Sequence, residues 1–200
     1  MKNIILIFFT AINIVACNGP DVKVEEPGTV SKTQRISNHS DTFNQSFEKM
    51  LMSYFFLKDA LVEYDTLRAN AAAKELAYQA ENLPLPELAD SVGAETAKNY
   101  SGTISGSALG LVGETDFGKK KKEFQMISDA MYDLVRTVNF DRQIIYHQHC
   151  PMAFNDSEGA YWLSNSRAVI NPYLGKKHPK YKAAMLACGE VTDSLDFSGR

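Results

Sequence analysis

The chain has 200 residues, with 21 Lys and Arg against 24 Asp and Glu and a net charge of −3. That length holds one ordinary domain, and the mildly acidic balance lacks the electrostatic footprint of a nucleic-acid-binding surface. Cleavage of a leader carrying Lys2 makes the rest more acidic still, so membrane attachment is expected through acyl chains rather than through a basic face.

The first residues read as an export signal. Lys2 is a positive start, Ile4 to Ile14 is an apolar run too short for a permanent span, and Ile14-Val15-Ala16-Cys17 sets small residues before a cysteine, as a bacterial lipoprotein signal does. Cys17 is then the lipidated residue. An ordinary secretory signal with an incidental Cys17 is the alternative, and either exports the chain to the periplasm or cell surface. From Asn18 to Thr42, Pro, Gly, Ser, Thr and charge prevail over large apolar residues, the composition of a flexible tether. The expected layout is a signal over 1–16, a tether over 17–42, a helical domain over 43–192 and a tail over 193–200.

Phe43, Phe47, Met50, Leu51, Tyr54, Phe55, Leu57, Leu61 and Val62 recur at spacings of three and four, which predicts an amphipathic helix to about Asp65, with Asp41 or Thr42 as its cap. A second helix is expected over 66–82, where Ala69 to Ala73 favours helix and small residues permit close packing; Pro84 and Pro86 end it. The region 87–112 reads as a third helix weakened by Gly93, Gly102, Gly106 and Gly110. Over 119–138, Phe124, Ile127, Met131, Leu134, Val135 and Val138 restore the helical period. The tetralysine at its head, Lys119 to Lys122, reads as a solvated helix start. The fold class expected is mostly α, an antiparallel four-helix up-and-down bundle with an irregular C-terminal subregion. Within that subregion Gln143 to His147 has strand-like content, Gly159, Pro172 and Gly175 mark turns, and Pro179 to Cys188 reads as a short helix closed by Gly189.

The chemistry concentrates in that last quarter. His147, His149, Cys150, Met152, Met185 and Cys188 offer imidazole, thiolate and thioether, the donors that suit copper or silver, whereas Mg(II) and Ca(II) take oxygen. On an extended segment His147 and His149 share one side and Cys150 takes the other. A Cys-Pro-Met turn would bring Cys150 and Met152 together, and a helical Met185 and Cys188 would share a face. The alternative is a disulfide between Cys150 and Cys188, the usual fate of paired cysteines after export, with Met152 and Met185 as core fillers. His178 lies among lysines and reads as solvent-facing, and His39 as incidental. A nucleophilic enzyme is disfavoured, since Cys150 beside His149 comes with no orienting acid or oxyanion-hole motif. The paired Cys-x-x-Cys knuckles of a zinc ribbon are missing.

Tyr54-Phe55-Phe56-Leu57-Lys58-Asp59-Ala60-Leu61-Val62, His149-Cys150-Pro151-Met152-Ala153, Trp162-Leu163-Ser164, Asn171-Pro172-Tyr173-Leu174-Gly175 and Met185-Leu186-Ala187-Cys188-Gly189 together resemble a domain of unknown function. That domain occurs in bacterial lipoproteins and as an appendage of periplasmic adaptor subunits of copper/silver efflux pumps. The resemblance runs from about Phe47 to Val191. It implies an exported, non-enzymatic helical domain associated with heavy-metal handling, with the family's Cys-Pro-Met and Met-Leu-x-Cys-Gly positions falling on Cys150, Met152, Met185 and Cys188. It also implies a heavy-metal efflux system as partner. The chain is too short to hold the hairpin, lipoyl-like and barrel segments of an adaptor itself.

Overall fold

The computed structural model describes residues 37–88 and 90–199. The signal segment, Cys17 and the tether up to residue 36 lie outside the described residues. Four helices come first: α1 (Asp41–Val62), α2 (Thr66–Glu81), α3 (Ser91–Gly113) and α4 (Phe117–Val138), with a 3-10 turn at Leu85–Glu87. Each α-helix starts on an oxygen-bearing N-cap, Ser40, Asp65, Asp90 and Asp116 in turn, whose side chain accepts a hydrogen bond from a first-turn N–H. The start of α1 is thus capped by Ser40, one residue before the expected Asp41. Asn139 closes α4 in the left-handed region at φ 52, a conformation that asparagine tolerates.

Consecutive helices pack on one another, and their apolar stripes make the core. Phe43, Phe47, Met50, Leu51, Tyr54, Leu57 and Leu61 of α1 are fully buried, as are Phe124, Ile127, Met131, Leu134 and Val135 of α4. Each such side chain contributes about 1.5–3 kcal/mol by leaving water. On α2 the buried face is Ala69, Ala73, Leu76, Ala77 and Ala80, small enough for α3 to approach closely: Ser101 Oγ donates to Ala80 O, and Ser105 Oγ to Glu81 Oε1 at 2.7 Å. That close packing offsets the glycine content of α3, which runs unbroken for 23 residues. Among the described residues no helix is long and apolar enough to cross a membrane.

The C-terminal part departs from the expected irregular subregion. It holds a three-stranded antiparallel sheet of order β2-β1-β3, built from β1 (Ile145–Phe154), β2 (Glu158–Ser164) and β3 (Glu190–Leu195). The irregular segment is confined to residues 165–189. Asn155 and Asp156, at φ 49 and 61, turn β1 into β2. β3 carries the fold past residue 192, where a tail was expected, because Leu195 and the neighbouring Phe197 are buried. At the other end the expected tether is already engaged by Ser37: its Oγ donates to Asp141 Oδ1 at 2.6 Å, and Asn38 N to Asp141 Oδ2 at 2.9 Å.

Three further expectations are corrected. No Cys-Pro-Met turn forms. β1 runs through Pro151 and Met152 with an irregularity in its β2 pairing between Cys150 and Phe154, and its pairing with β3 has already ended at His149, so the missing proline N–H is not needed there. Residues 179–188 are not a helix but successive turns, with Ala184 N donating to Tyr181 O, Leu186 N to Ala183 O and Cys188 N to Met185 O, and with Lys182 at φ 52. The tetralysine is not wholly solvated: Lys120 and Lys121 are 1% and 7% exposed.

Candidate functional site

The alternation of β1 sorts the candidate residues onto two faces. On one, the His147 ring stacks on Tyr132 of α4, at 4.0 Å between centroids, and on Tyr161 of β2, at 4.7 Å; the His149 ring lies tilted against Tyr161 at 4.3 Å. Burial lowers the His147 pKa to about 4, only partly countered by Asp193, so this imidazole is neutral at pH 7. Gly159 admits the His149 ring, since a Cβ there would stand 2.5 Å from its Nε2.

On the opposite face Cys150 is fully buried, and its Sγ lies 2.7 Å from Sγ of half-buried Cys188. The geometry that brings Cys188 there is built by two neighbours. Gly189 sits at φ +133 with its backbone against β1, where a Cβ would meet His149 O at 2.5 Å and Trp162 Cη2 at 3.0 Å; only glycine takes that conformation and that approach together. Asn171, fully buried, gives its Nδ2 to Cys188 O at 2.8 Å, while its Oδ1 accepts from Tyr173 N at 2.8 Å and Leu174 N at 3.0 Å and its N donates to Leu186 O at 2.8 Å. One side chain thus ties the Asn-Pro-Tyr-Leu-Gly segment to the Met-Leu-Ala-Cys-Gly segment. Burial first, and then the Cys150 sulfur, push the Cys188 thiol pKa up to about 12. Such a thiol is a poor nucleophile at neutral pH, the reverse of a reactive cysteine.

The two methionines stand nearby in the chain and pack, half-buried, against the core. The structure therefore brings Cys150 and Cys188 together and puts His147 and His149 on the far side of β1 from them. Among the described residues no group of three or more His, Cys, Asp and Glu is placed to hold a metal ion.

The loop over this face is latched to the helices by Lys121, which the sequence reading had left solvated, by Tyr64, which it did not single out, and by Tyr173 and Gly175 of the Asn-Pro-Tyr-Leu-Gly motif. Lys121 Nζ donates to Tyr173 O at 2.5 Å and to Tyr64 Oη at 3.0 Å, and burial brings its pKa down to about 8. Lys176 N donates to Val62 O at 2.8 Å. Gly175, at φ +53, lies against Val62 O and the Tyr64 ring. Tyr173 Oη donates to Tyr161 O at 2.6 Å, and burial raises its own pKa well above the phenol value.

No curated protein and no solved structure matches the chain. Residues 50–143, from Met50 within α1 to Gln143 two residues before β1, match the model of the family described as "Protein of unknown function (DUF3347)"; the expected resemblance to a domain of unknown function is thus borne out over the helices, while of the five motifs quoted for it only Tyr54 to Val62 lies inside the matched residues, which stop short of the expected Val191.

Proposed function

We propose that this chain is an exported, lipid-anchored, non-enzymatic module in which a Cys150–Cys188 disulfide staples the C-terminal loop to the sheet, making the fold a stable interaction domain. The contact of the two sulfurs at 2.7 Å carries this reading. A disulfide needs about 2.05 Å between them, a small approach, whereas two thiolates sharing one ion with bonds of about 2.3 Å stand well over 3 Å apart. Closure releases two protons and transfers two electrons to a disulfide-bearing oxidant of the exported compartment. The raised Cys188 pKa favours a structural bond over a catalytic one. Three-residue connections at 63–65 and 114–116, with consecutive helices in contact, support an antiparallel up-and-down bundle beneath it.

A second reading keeps copper or silver. Met185 is joined to Cys188 in one turn, and Met152 lies two residues beyond Cys150 on β1, so the reduced pair has thioethers as neighbours and offers a monovalent soft ion an all-sulfur set. In this reading the module hands metal to, or takes it from, a heavy-metal efflux system. His147 and His149 have no part in it.

One experiment separates the two. The full chain is isolated without reductant, its thiols are counted and its peptides mapped, and the reduced form is titrated with Cu(I) against a competing chelator beside Cys150→Ser and Met152→Leu. No free thiols in the Cys150 and Cys188 peptides, a linked pair and no competitive Cu(I) binding support the staple. Two free thiols after air oxidation overturn it. Stoichiometric Cu(I) binding weakened by both substitutions establishes the metal reading.

A further inference from the structure

The two sulfurs of the pair are not equivalent. Cys150 stands on a sealed face of the sheet: Gln148, Cys150 and their cross-strand partners Trp162 and Ala160 are each fully buried. The start of the 165–189 loop is bound to that face, since Gln148 Nε2 donates to Ser166 O at 3.0 Å and to Ala168 O at 3.3 Å. Cys188, near the end of the same loop, is only half-buried; Ala187 before it is exposed, and so is Glu190 two residues on. The 2.7 Å contact between the sulfurs therefore joins a residue that solvent reaches to one that it does not.

The backbone fixes this difference. Cys188 N donates to Met185 O at 3.0 Å, Cys188 O accepts from Asn171 Nδ2 at 2.8 Å, and Gly189 is backed against β1, so Cys188 meets solvent without any movement of the loop. Baring Cys150 requires the loop to leave, with loss of the Gln148, Asn171 and Lys121 bonds that hold it. Thiol–disulfide exchange proceeds by attack of a thiolate on a sulfur within its reach, and a reaction that waits for a local opening is slowed by the free energy of that opening.

We infer, on the reading of the pair as a staple, that Cys188 is its exchange sulfur and Cys150 its resolving sulfur, so that a disulfide oxidant or a thiol reductant gains access through Cys188 alone. In closure the Cys188 thiolate attacks one sulfur of the oxidant's disulfide. A bond forms between them, the oxidant's own bond breaks, and one thiolate departs with the electron pair. The Cys150 thiolate then attacks Cys188 Sγ, the Cys150–Cys188 bond forms, and the second thiolate departs. The chain gives up two electrons and two protons, the protons pass to the departing thiolates, and the oxidant ends as two thiols. Reduction by a thiol runs the same steps backwards, with Cys188 in the mixed disulfide. Because burial and the Cys150 sulfur keep the Cys188 thiol protonated at neutral pH, the oxidant that fits is one whose departing thiol has a low pKa.

The test uses the reduced full chain and dithiobis(nitrobenzoate), a disulfide whose departing thiolate is coloured, with labels located by peptide mapping so that Cys17 is counted apart. The wild-type chain should release two thiolates from the pair and keep no label on either peptide. Cys150→Ser should release one and retain the label on Cys188. Cys188→Ser should react at Cys150 at least about a hundredfold more slowly, and reach the rate of the other variant once both are unfolded in urea. In the reduced wild-type chain, a brief exposure to iodoacetamide should mark Cys188 and spare Cys150, a measurement that needs no variant. Folded single variants that react alike, or a wild-type chain alkylated first at Cys150, overturn the assignment; if a linked pair still forms, the staple itself stands. A wild-type chain that reacts at Cys188, keeps the label there and forms no linked pair overturns Cys150 as the resolving sulfur and the staple with it.

Discussion

Two adjacent lysines at the start of α4 leave water, and each recovers oxygen partners for its ammonium. Lys120 Nζ donates to Leu111 O at 2.6 Å and Asn70 Oδ1 at 2.7 Å, satisfying a carbonyl in the last turn of α3 where the helix dipole favours a cation. Lys121 latches the loop carbonyl of Tyr173, at the expense of a pKa lowered by burial from 10.5 to about 8, with Asp116 opposing. The folded pKa is below the unfolded one, so from about pH 8 to 10.5 the unfolded chain binds more protons and stability from this group rises with pH. Above pH 9 and 10 the opposite holds for Cys188 and Tyr64, each pushed up to about 12. The clean window is therefore below pH 9. In urea titrations between pH 7 and 9 the wild-type chain should gain about 1 kcal/mol relative to Lys121→Met, and parallel pH profiles for the two would refute this account. The burial of these lysines was readable in part: four residues back from Phe124, along the apolar stripe of α4, is Lys120, and three back is Lys121. What the stripe did not contain was the partners, since Asn70, Leu111 O and Tyr173 O come from three other segments.

One buried hydroxyl joins two helices to the sheet. Leu163 N on β2 donates to Tyr54 Oη at 3.0 Å, and because Ser128 Oγ spends its proton on Phe124 O at 2.8 Å, Tyr54 Oη donates to Ser128 Oγ at 2.7 Å. β2 is an edge strand, and this bond covers an edge N–H that the ladder leaves open. Tyr54→Phe keeps the ring in the core and strips the partner from a buried N–H, at a cost of about 1–3 kcal/mol. The expected result is a lower urea midpoint together with faster hydrogen exchange at Leu163; an unchanged amide would show that the hydroxyl does not hold the strand. At this scale legibility follows locality. α1, α2 and α4 carry their own 3.6-residue period and their own caps, and the expected boundaries fall within a few residues of the observed ones. The sheet depends on long-range pairing: β3 returns beside β1 across the 165–189 segment, and Pro151 looks like a breaker until it is known that β1 has no β3 partner at that point. Cys150 and Cys188 were legible as a pair, and strand alternation already set His147 and His149 opposite Cys150; what no spacing rule contains is the stacking of those histidines on Tyr132 and Tyr161.

The molecule as a whole has a loop that local structure alone secures weakly: residues 165–189 are turns held by Asn171, Lys121 and a glycine backed against β1. A bond between Cys150 and Cys188, 38 residues apart, removes loop-closure entropy from the unfolded chain worth about 4 kcal/mol in the chain-entropy treatment. That is a large share of the stability of an ordinary domain. The gain should be felt by the whole fold rather than by the loop alone. Tyr54 ties β2 to α1 and α4, Lys121 ties the loop to α4, and Asp141 ties the segment before α1 to the segment before β1, so that loop, sheet and helices unfold as one cooperative unit. Reduction of the stapled chain is therefore expected to shift a single denaturant transition, seen alike by helical circular dichroism and by Trp162 fluorescence, by about 4 kcal/mol. Cys150→Ala/Cys188→Ala should match the reduced chain and ignore reductant. If the fluorescence transition moves while the helical one stays, the loop and sheet melt separately and the staple serves them alone; if neither moves by more than about 1 kcal/mol, the contact between the two sulfurs contributes nothing to the stability of the fold.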